Sequence, residues 1–226
     1  MAWFRLSLRG PAINRLRPSL TTTTLLRGVK ELSARDGHLA SVVDRFGPPP
    51  LWARRPGFAT LVRIILEQQV SLASGRAAYS RLQAAAGRVT PGSVARLSEA
   101  RLRKSGLTRQ KASYCRQLAT CIVDRRLTLD HLAQLDDDAA RSRLLQVPGI
   151  GPWTADVYLL MALRRPDVWP DGDLALAKAA YQVKRLRSLP TREKLRRIAG
   201  SWTPWRAVAA RILWHSYLSD RRRHGR

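Results

Sequence analysis

Apolar positions along this chain recur with the period of a helix, not of a strand. Phe58, Leu61, Val62, Ile65, Leu66 and Gln69 fall at i, i+3, i+4, i+7, i+8 and i+11, one stripe of a helix. A second helix is expected over 73–86, stopping at Gly87. A short one follows Ser98 and ends at Ser105-Gly106, where glycine supplies the left-handed C-terminal residue. Thr108 can cap the next helix, on which Ala112, Cys115, Leu118, Ala119 and Ile122 share a face. The acids Asp136 to Asp138 suit the positive end of a further helix. Beyond it the pattern predicts helices over 152–163, 173–187, 191–199 and 204–219, with Pro152 and Pro204 in first turns, where proline is tolerated. No sustained period-2 run and no Asn-Gly hairpin appears. The expected fold class is all-α, with two helical lobes flanking a shared cleft.

Composition narrows the class. The chain has 226 residues and is 45% hydrophobic, as a folded protein is, and its length suits one large domain or two small ones sharing a core. No apolar run approaches the roughly 18 to 20 residues of a membrane span. The longest, Val157 to Leu163, stops at Arg164 and Arg165, so a transmembrane protein is excluded. With 41 Lys and Arg against 16 Asp and Glu, the formal charge is +25. Thirty-five of those cations are Arg, whose planar fork suits bidentate phosphate contacts and so favours a polyanionic partner. GC-rich coding would give the same excess of Arg over Lys. Cys115 and Cys121 lie on opposite faces of one helix, which argues against a disulfide or a metal pair; two free thiols fit a reducing, intracellular compartment.

Two domains of behaviour are expected. Residues 1–30 carry six cations and no acid, with a Thr21 to Thr24 run. Such a segment fits an organelle transit peptide, a disordered basic arm or a start codon placed too far upstream, and it reads as flexible and non-catalytic. Residues 31–226 form the helical domain. A cytoplasmic or nucleoid location is favoured over organelle targeting by residues 1–30. The tail from Arg221 to His224 reads as a solvated basic end.

The informative stretch is Leu144-Leu145-Gln146-Val147-Pro148-Gly149-Ile150-Gly151-Pro152-Trp153-Thr154-Ala155. One helix ends, a tight turn holds Pro148, Gly149 and Gly151, and another helix starts at Pro152. Glycines let the backbone approach a ligand, and N–H groups at a helix start face outward, a geometry that binds phosphate. Asp173 follows Trp153 by 20 residues. Taken alone, Asp173 is a good N-cap for the helix that it opens. Paired with the hairpin, it becomes a candidate catalytic acid.

These residues resemble the helix-hairpin-helix DNA glycosylases (the HhH-GPD superfamily), and within them the 3-methyladenine DNA glycosylase II branch of alkylation repair. The segments Ile64 to Ser71, Val147 to Ala155, Val168 to Leu176 and Trp202 to Arg206 carry the likeness in order, over roughly residues 36–219. The resemblance implies Asp173 as the catalytic aspartate, and Trp153, Trp214 and Tyr158 as aromatics of the base pocket. Val157 stands where one bacterial member of the family has a pocket aromatic, with Tyr158 one residue later on a different face. The resemblance further implies DNA contacts by Gln68 and Gln69 in the loop that pushes into the duplex, and by Pro148, Gly149, Gly151 and Thr154 in the hairpin. In some members hairpin carbonyls hold a monovalent cation, Na+ or K+; here those would be Leu145, Val147 and Ile150. No other cofactor is required. Glu67 departs from the pattern by placing an acid beside the wedge, and Gln69 departs by being polar.

The chemistry implied is hydrolysis of the N-glycosidic bond of alkylated purines in damaged double-stranded DNA, by a monomer in base excision repair. A carboxylate facing the anomeric carbon stabilises the oxocarbenium-like sugar, and aromatic walls attract a cationic base. Bifunctional members carry Lys at the place of Trp153, and no Cys follows Cys121 to build an iron–sulfur loop. A monofunctional enzyme that leaves an abasic site is therefore expected. The alternatives are a non-catalytic helix-hairpin-helix DNA-binding protein and a glycosylase for deaminated or mismatched bases.

Overall fold

The apolar stripe of Leu61, Val62, Ile65 and Leu66 is wholly inaccessible, and the helix that carries it, α3 (Phe58–Glu67), runs through the interior. Fully burying a side chain of that size contributes about 1.5–3 kcal/mol, so this helix is held chiefly by its packing. The computed structural model describes residues 19–224, and among them thirteen helices and no strand. Before α3 come α1 (Thr22–Arg35) and α2 (Gly37–Phe46). After it come α4 (Leu72–Ala86), α5 (Pro91–Ala95), α6 (Glu99–Lys104), α7 (Arg109–Val123), α8 (Leu129–Leu132), α9 (Asp137–Leu145) and α10 (Pro152–Met161). The chain closes with α11 (Leu174–Val183), α12 (Arg192–Gly200) and α13 (Arg206–His224).

Helix neighbours fall into two sets. The first two helices pack with the last three, while α3, α4, α5, α6, α7, α9 and α10 pack among themselves, which gives the two lobes expected from the pattern. Arg211 on α13 ties them together. Wholly buried, it donates to the carbonyls of Leu51 at 2.9 Å, Ala207 at 2.9 Å and Leu160 at 2.8 Å. Burial pulls its guanidinium down to about 10, which leaves it charged at neutral pH.

Three expectations change. The leader does not extend to residue 30. Thr21 and Thr24 form a capping box at the start of α1, and Leu20, Leu25 and Val29 are buried. At Gly28 an added Cβ would lie 2.8 Å from Trp205 Cε3, so α1 seats directly on the segment before α13. The hydroxyl run that reads as a targeting composition is a helix start; the leader reading of residues 1–18 lies outside the described residues. Gln69 is not part of the α3 stripe, because that helix ends at Glu67 and Gln69 is exposed with φ +54°. Pro204 precedes its helix: it follows a cis Thr203–Pro204 bond, and α13 begins at Arg206. There Asp167 Oδ1 accepts the Arg206 backbone N–H at 3.1 Å, so the cap comes from another part of the chain.

Candidate active site

The hairpin is built as its residues dictate. Helix α9 gives way at Gln146; Val147 N–H then bonds to Leu144 O at 3.1 Å and Ile150 N–H to Val147 O at 3.0 Å, which closes a tight turn. Gly149 has φ +89°, a conformation that L side chains rarely adopt. Gly151 is the N-cap of α10 and Pro152 its first residue, and no side chain caps that helix. Pro148 and Gly151 are exposed, as a backbone grip on phosphate requires. Behind the turn, Arg141 on α9 donates to the buried Asp156 of α10 at 2.6 Å and fixes the two helices to each other.

Asp173 caps α11 as its residue type predicts: Oδ1 accepts Leu176 N–H at 2.8 Å. It also does more. Oδ2 accepts Trp153 Nε1–H at 2.8 Å, and Oδ1 accepts Trp214 Nε1–H at 3.3 Å. One carboxylate therefore receives an indole from α10, an indole from α13 and a backbone N–H of its own helix. It is 8% exposed, on the wall of a cleft of about 1530 Å³ between the lobes. Both tryptophans line this cleft, and so do Gln69, Val157 and Trp52.

The structure moves several expected site residues. Tyr158 is wholly buried, its hydroxyl accepts Gly57 N–H at 3.0 Å, and burial pushes its phenol up to about 12. The helical period explains the difference. Trp153, Val157 and Met161 repeat every four residues and face the cleft, whereas Tyr158 turns into the core. Tyr158 is therefore no pocket aromatic. Gln68 also turns inward: its Nε2 donates to Gly149 O at 3.0 Å and to Thr154 Oγ1 at 2.8 Å. Thr154, buried at 1%, holds Gln68 and offers no side chain to DNA. Of the two glutamines, only Gln69 projects outward. Glu67 is answered by Arg54 in a two-point pair, Nη1 to Oε2 at 2.9 Å and Nη2 to Oε1 at 3.1 Å. Glu67 thus presents no unbalanced charge. Leu145 is 41% exposed, and Val147 and Ile150 are buried.

Four residues at or behind the site carry no signal in the sequence pattern. Trp52 lines the cleft from an irregular segment, with φ +46°. Arg54 belongs to the same segment. Lys111 and Tyr114 sit on α7 beneath the hairpin and wedge turns, far from both in sequence.

Comparison with known proteins gives the family. A 34% identical stretch of 163 residues, 68% of this chain, is shared with a Mycobacterium tuberculosis protein described as a probable bifunctional transcriptional activator/DNA repair enzyme AlkA. The chain spans about a third (32%) of that relative's length. DNA-3-methyladenine glycosylase 1 of Schizosaccharomyces pombe is 25% identical over 206 residues, 88% of this chain and 90% of that protein. The crystal structure of a DNA-3-methyladenine glycosidase from Bacillus halodurans superposes with a TM-score of 0.71 at 27% identity, covering 84% of this chain and 88% of that one. Residues 62–204 match the model of the HhH-GPD superfamily base excision DNA repair proteins, the stretch that runs from α3 through the hairpin and Asp173 to the turn before α13, and the chain belongs to that family.

Proposed function

We propose that this protein is a monofunctional DNA glycosylase, which hydrolyses the N-glycosidic bond of alkylated purines of the 3-methyladenine type in double-stranded DNA and leaves an abasic site. The observation that carries this reading is Asp173, held on the cleft wall by Trp153 and Trp214. Breaking the bond leaves positive charge on the sugar, and a pre-oriented carboxylate stabilises it without reorganising at the moment of reaction. The same oxygens can orient the attacking water. A base made cationic by N-alkylation is a good leaving group, and the indole faces of the cleft attract it by stacking and cation–π forces. The names of the fission yeast and Bacillus relatives support this substrate class.

Lack of lyase chemistry follows from the lysines. Trp153 stands where a Schiff-base lysine would be needed. Lys111 borders the cleft, but its Nζ is occupied by the carbonyls of Leu66 and Gln68. The positive charge of +25 supplies a sequence-blind attraction to DNA, and the hairpin turn its backbone grip. The carbonyls of Leu145, Val147 and Ile150, at the negative end of the α9 dipole, suit a monovalent cation that would screen the approach of a phosphate. No other cofactor enters this reading. The reading takes the protein to act as a monomer on intracellular DNA. Among the described residues no helix is long and apolar enough to cross a membrane.

Incubation with alkylated duplex DNA tests the proposal. The expected result is free 3-methyladenine together with alkali-labile abasic sites, with no covalent adduct trapped by borohydride. DNA that is bound but yields no free base would make the chain a binding module. A trapped adduct would make it a lyase.

A further inference from the structure

The turn between α3 and α4 carries Gln69 at its tip with φ +54°. For a residue with a side chain, that left-handed conformation costs about 1 kcal/mol or more and persists where its neighbours over-determine it. Two side chains do so here. From α7, Lys111 Nζ donates to Leu66 O at 2.8 Å and to Gln68 O at 3.0 Å. These carbonyls lie at the C-terminal end of α3, where unsatisfied acceptors and the negative end of the dipole favour a cation. From the other direction, Gln68 Nε2 reaches Gly149 O and Thr154 Oγ1 across the hairpin.

Helix α7 supports the hairpin as well. One turn beyond Lys111, the Tyr114 ring packs against Gly149 so closely that an added Cβ would lie 2.2 Å from Tyr114 Cγ. Gln110 Nε2 donates to the Tyr114 hydroxyl at 2.8 Å. The wedge turn and the phosphate-gripping turn are therefore one braced unit, with α7 as the strut and Lys111 as its contact with the wedge. Burial holds the Lys111 ammonium below the usual lysine range, in keeping with a group lodged beneath the turn.

Resting on the glycosylase reading above, we propose that Lys111 is a positioning residue for base extrusion: by fixing the carbonyls of Leu66 and Gln68 it keeps Gln69 projecting at the rim of the cleft, ready to occupy the space a departing base vacates. Lys111 touches neither the sugar nor the base. Its effect belongs to the opening of the duplex, which costs a few kcal/mol, and not to the bond-breaking step.

That distinction sets the test. Release of 7-methylguanine is measured from a fully paired duplex and from a duplex in which the lesion faces an abasic site, where extrusion is cheaper. Fluorescence of a 2-aminopurine beside the lesion reports unstacking on binding, without any bond cleavage. K111M is expected to lose about tenfold in rate on the paired duplex and to stay within about twofold of the unaltered protein on the second. Its fluorescence rise at saturating protein should be less than about half that of the unaltered protein. K111R, whose guanidinium still offers two donors, should recover most of both signals. Equal loss on the two substrates, or unstacking by K111M as complete as in the unaltered protein, would overturn the proposal. If K111M does not fold, K111R and K111Q carry the comparison: a split between substrates ordered Lys, Arg, Gln supports the role, and identical ratios for all three overturn it. Unstacking by the unaltered protein without base release would sink the glycosylase reading, while the fluorescence arm still decides the role of Lys111.

Discussion

The indole N–H of Trp153 points at Oδ2 of Asp173 across 2.8 Å, joining the first turn of α10 to the first residue before α11. The hairpin and the carboxylate of Asp173 are thereby linked through one side chain. Trp214 holds the other carboxylate oxygen from α13, at 3.3 Å. Asp173 is thus oriented by both lobes, and any change in their relative position bears directly on the acid.

Asn caps helices as well as Asp does, so D173N separates capping from chemistry. The variant keeps the bond to Leu176 N–H but turns an amide NH2 toward the Trp153 indole N–H, so it should stay folded with a Tm lowered by about 3–10 °C. Base release should fall by a factor of about 100 or more, the usual cost of removing a pre-oriented charge from a transition state. Measurement of both quantities on one preparation checks the split. Undiminished release would remove Asp173 from the mechanism.

For Trp153, two substitutions separate orientation from stacking. W153F keeps an aromatic wall but leaves Oδ2 without its donor. Loss of a hydrogen bond to a charged group costs about 1.5–3 kcal/mol, so kcat should drop by a factor of about 10 to 100 with KM nearly unchanged. W153A should raise KM as well, since the cation–π attraction for the alkylated base is lost too. Steady-state kinetics on methylated DNA reads the difference, and a change confined to KM in W153F would argue that the indole N–H has no part in catalysis.

Much of this was legible in the sequence because it is local. The hairpin, the caps at Thr108, Asp136 and Asp173, and the buried stripe of α3 follow from a few adjacent residues each. What was not legible depends on distance or on phase. Tyr158 and Val157 are neighbours, and only the rotation of α10 about its axis decides that Val157 faces the cleft. Gln68 looks as free as Gln69 until Thr154, 86 positions later, accepts its amide. Residues 19–30 are polar and basic enough to read as a leader, and only the Trp205 ring, distant in sequence, shows why Gly28 is closed in beside the buried Leu25 and Val29. Lys111, Tyr114 and Trp52 serve the site from segments with no motif of their own.

The two hairpin glycines should respond differently. At Gly149 a methyl group would meet Tyr114 and demand φ +89° of an alanine, so G149A should lose roughly 2–3 kcal/mol, visible as a fall in Tm of about 5–10 °C. At Gly151 an added Cβ meets nothing within 4 Å of it, and φ is −86°, which alanine accepts readily. G151A should therefore keep its Tm yet bind duplex DNA several-fold more weakly, because the space there is open for a phosphate and not for the protein's own atoms. Equal Tm values for the two variants would contradict the packing of Tyr114 against the turn.

Asp36 gives the fold a defined response to acid. It caps α2, accepts Trp202 Nε1–H at 2.9 Å, and receives Lys184 Nζ at 3.0 Å on both oxygens, which closes α1 and α2 against the end of α11. Burial alone would raise its carboxyl, but the hydrogen bonds from Trp202 and Lys184, the ammonium charge of Lys184 and the Leu39 N–H outweigh burial, and the group sits below its ordinary value of 3.8. Since the folded value is the lower one, the unfolded chain binds more protons between the two. The stabilisation is therefore complete above pH 3.8 and is lost as pH falls through the folded value. D36N keeps the cap but not the charge, and should cost about 1–2 kcal/mol at neutral pH, the worth of charged hydrogen bonds at a half-buried site. The two proteins should converge in stability once the pH has fallen through that folded value. Urea unfolding at neutral pH and at a series of falling acid pH values follows that window, and a gap that does not narrow in acid would show that Asp36 acts through shape instead of charge.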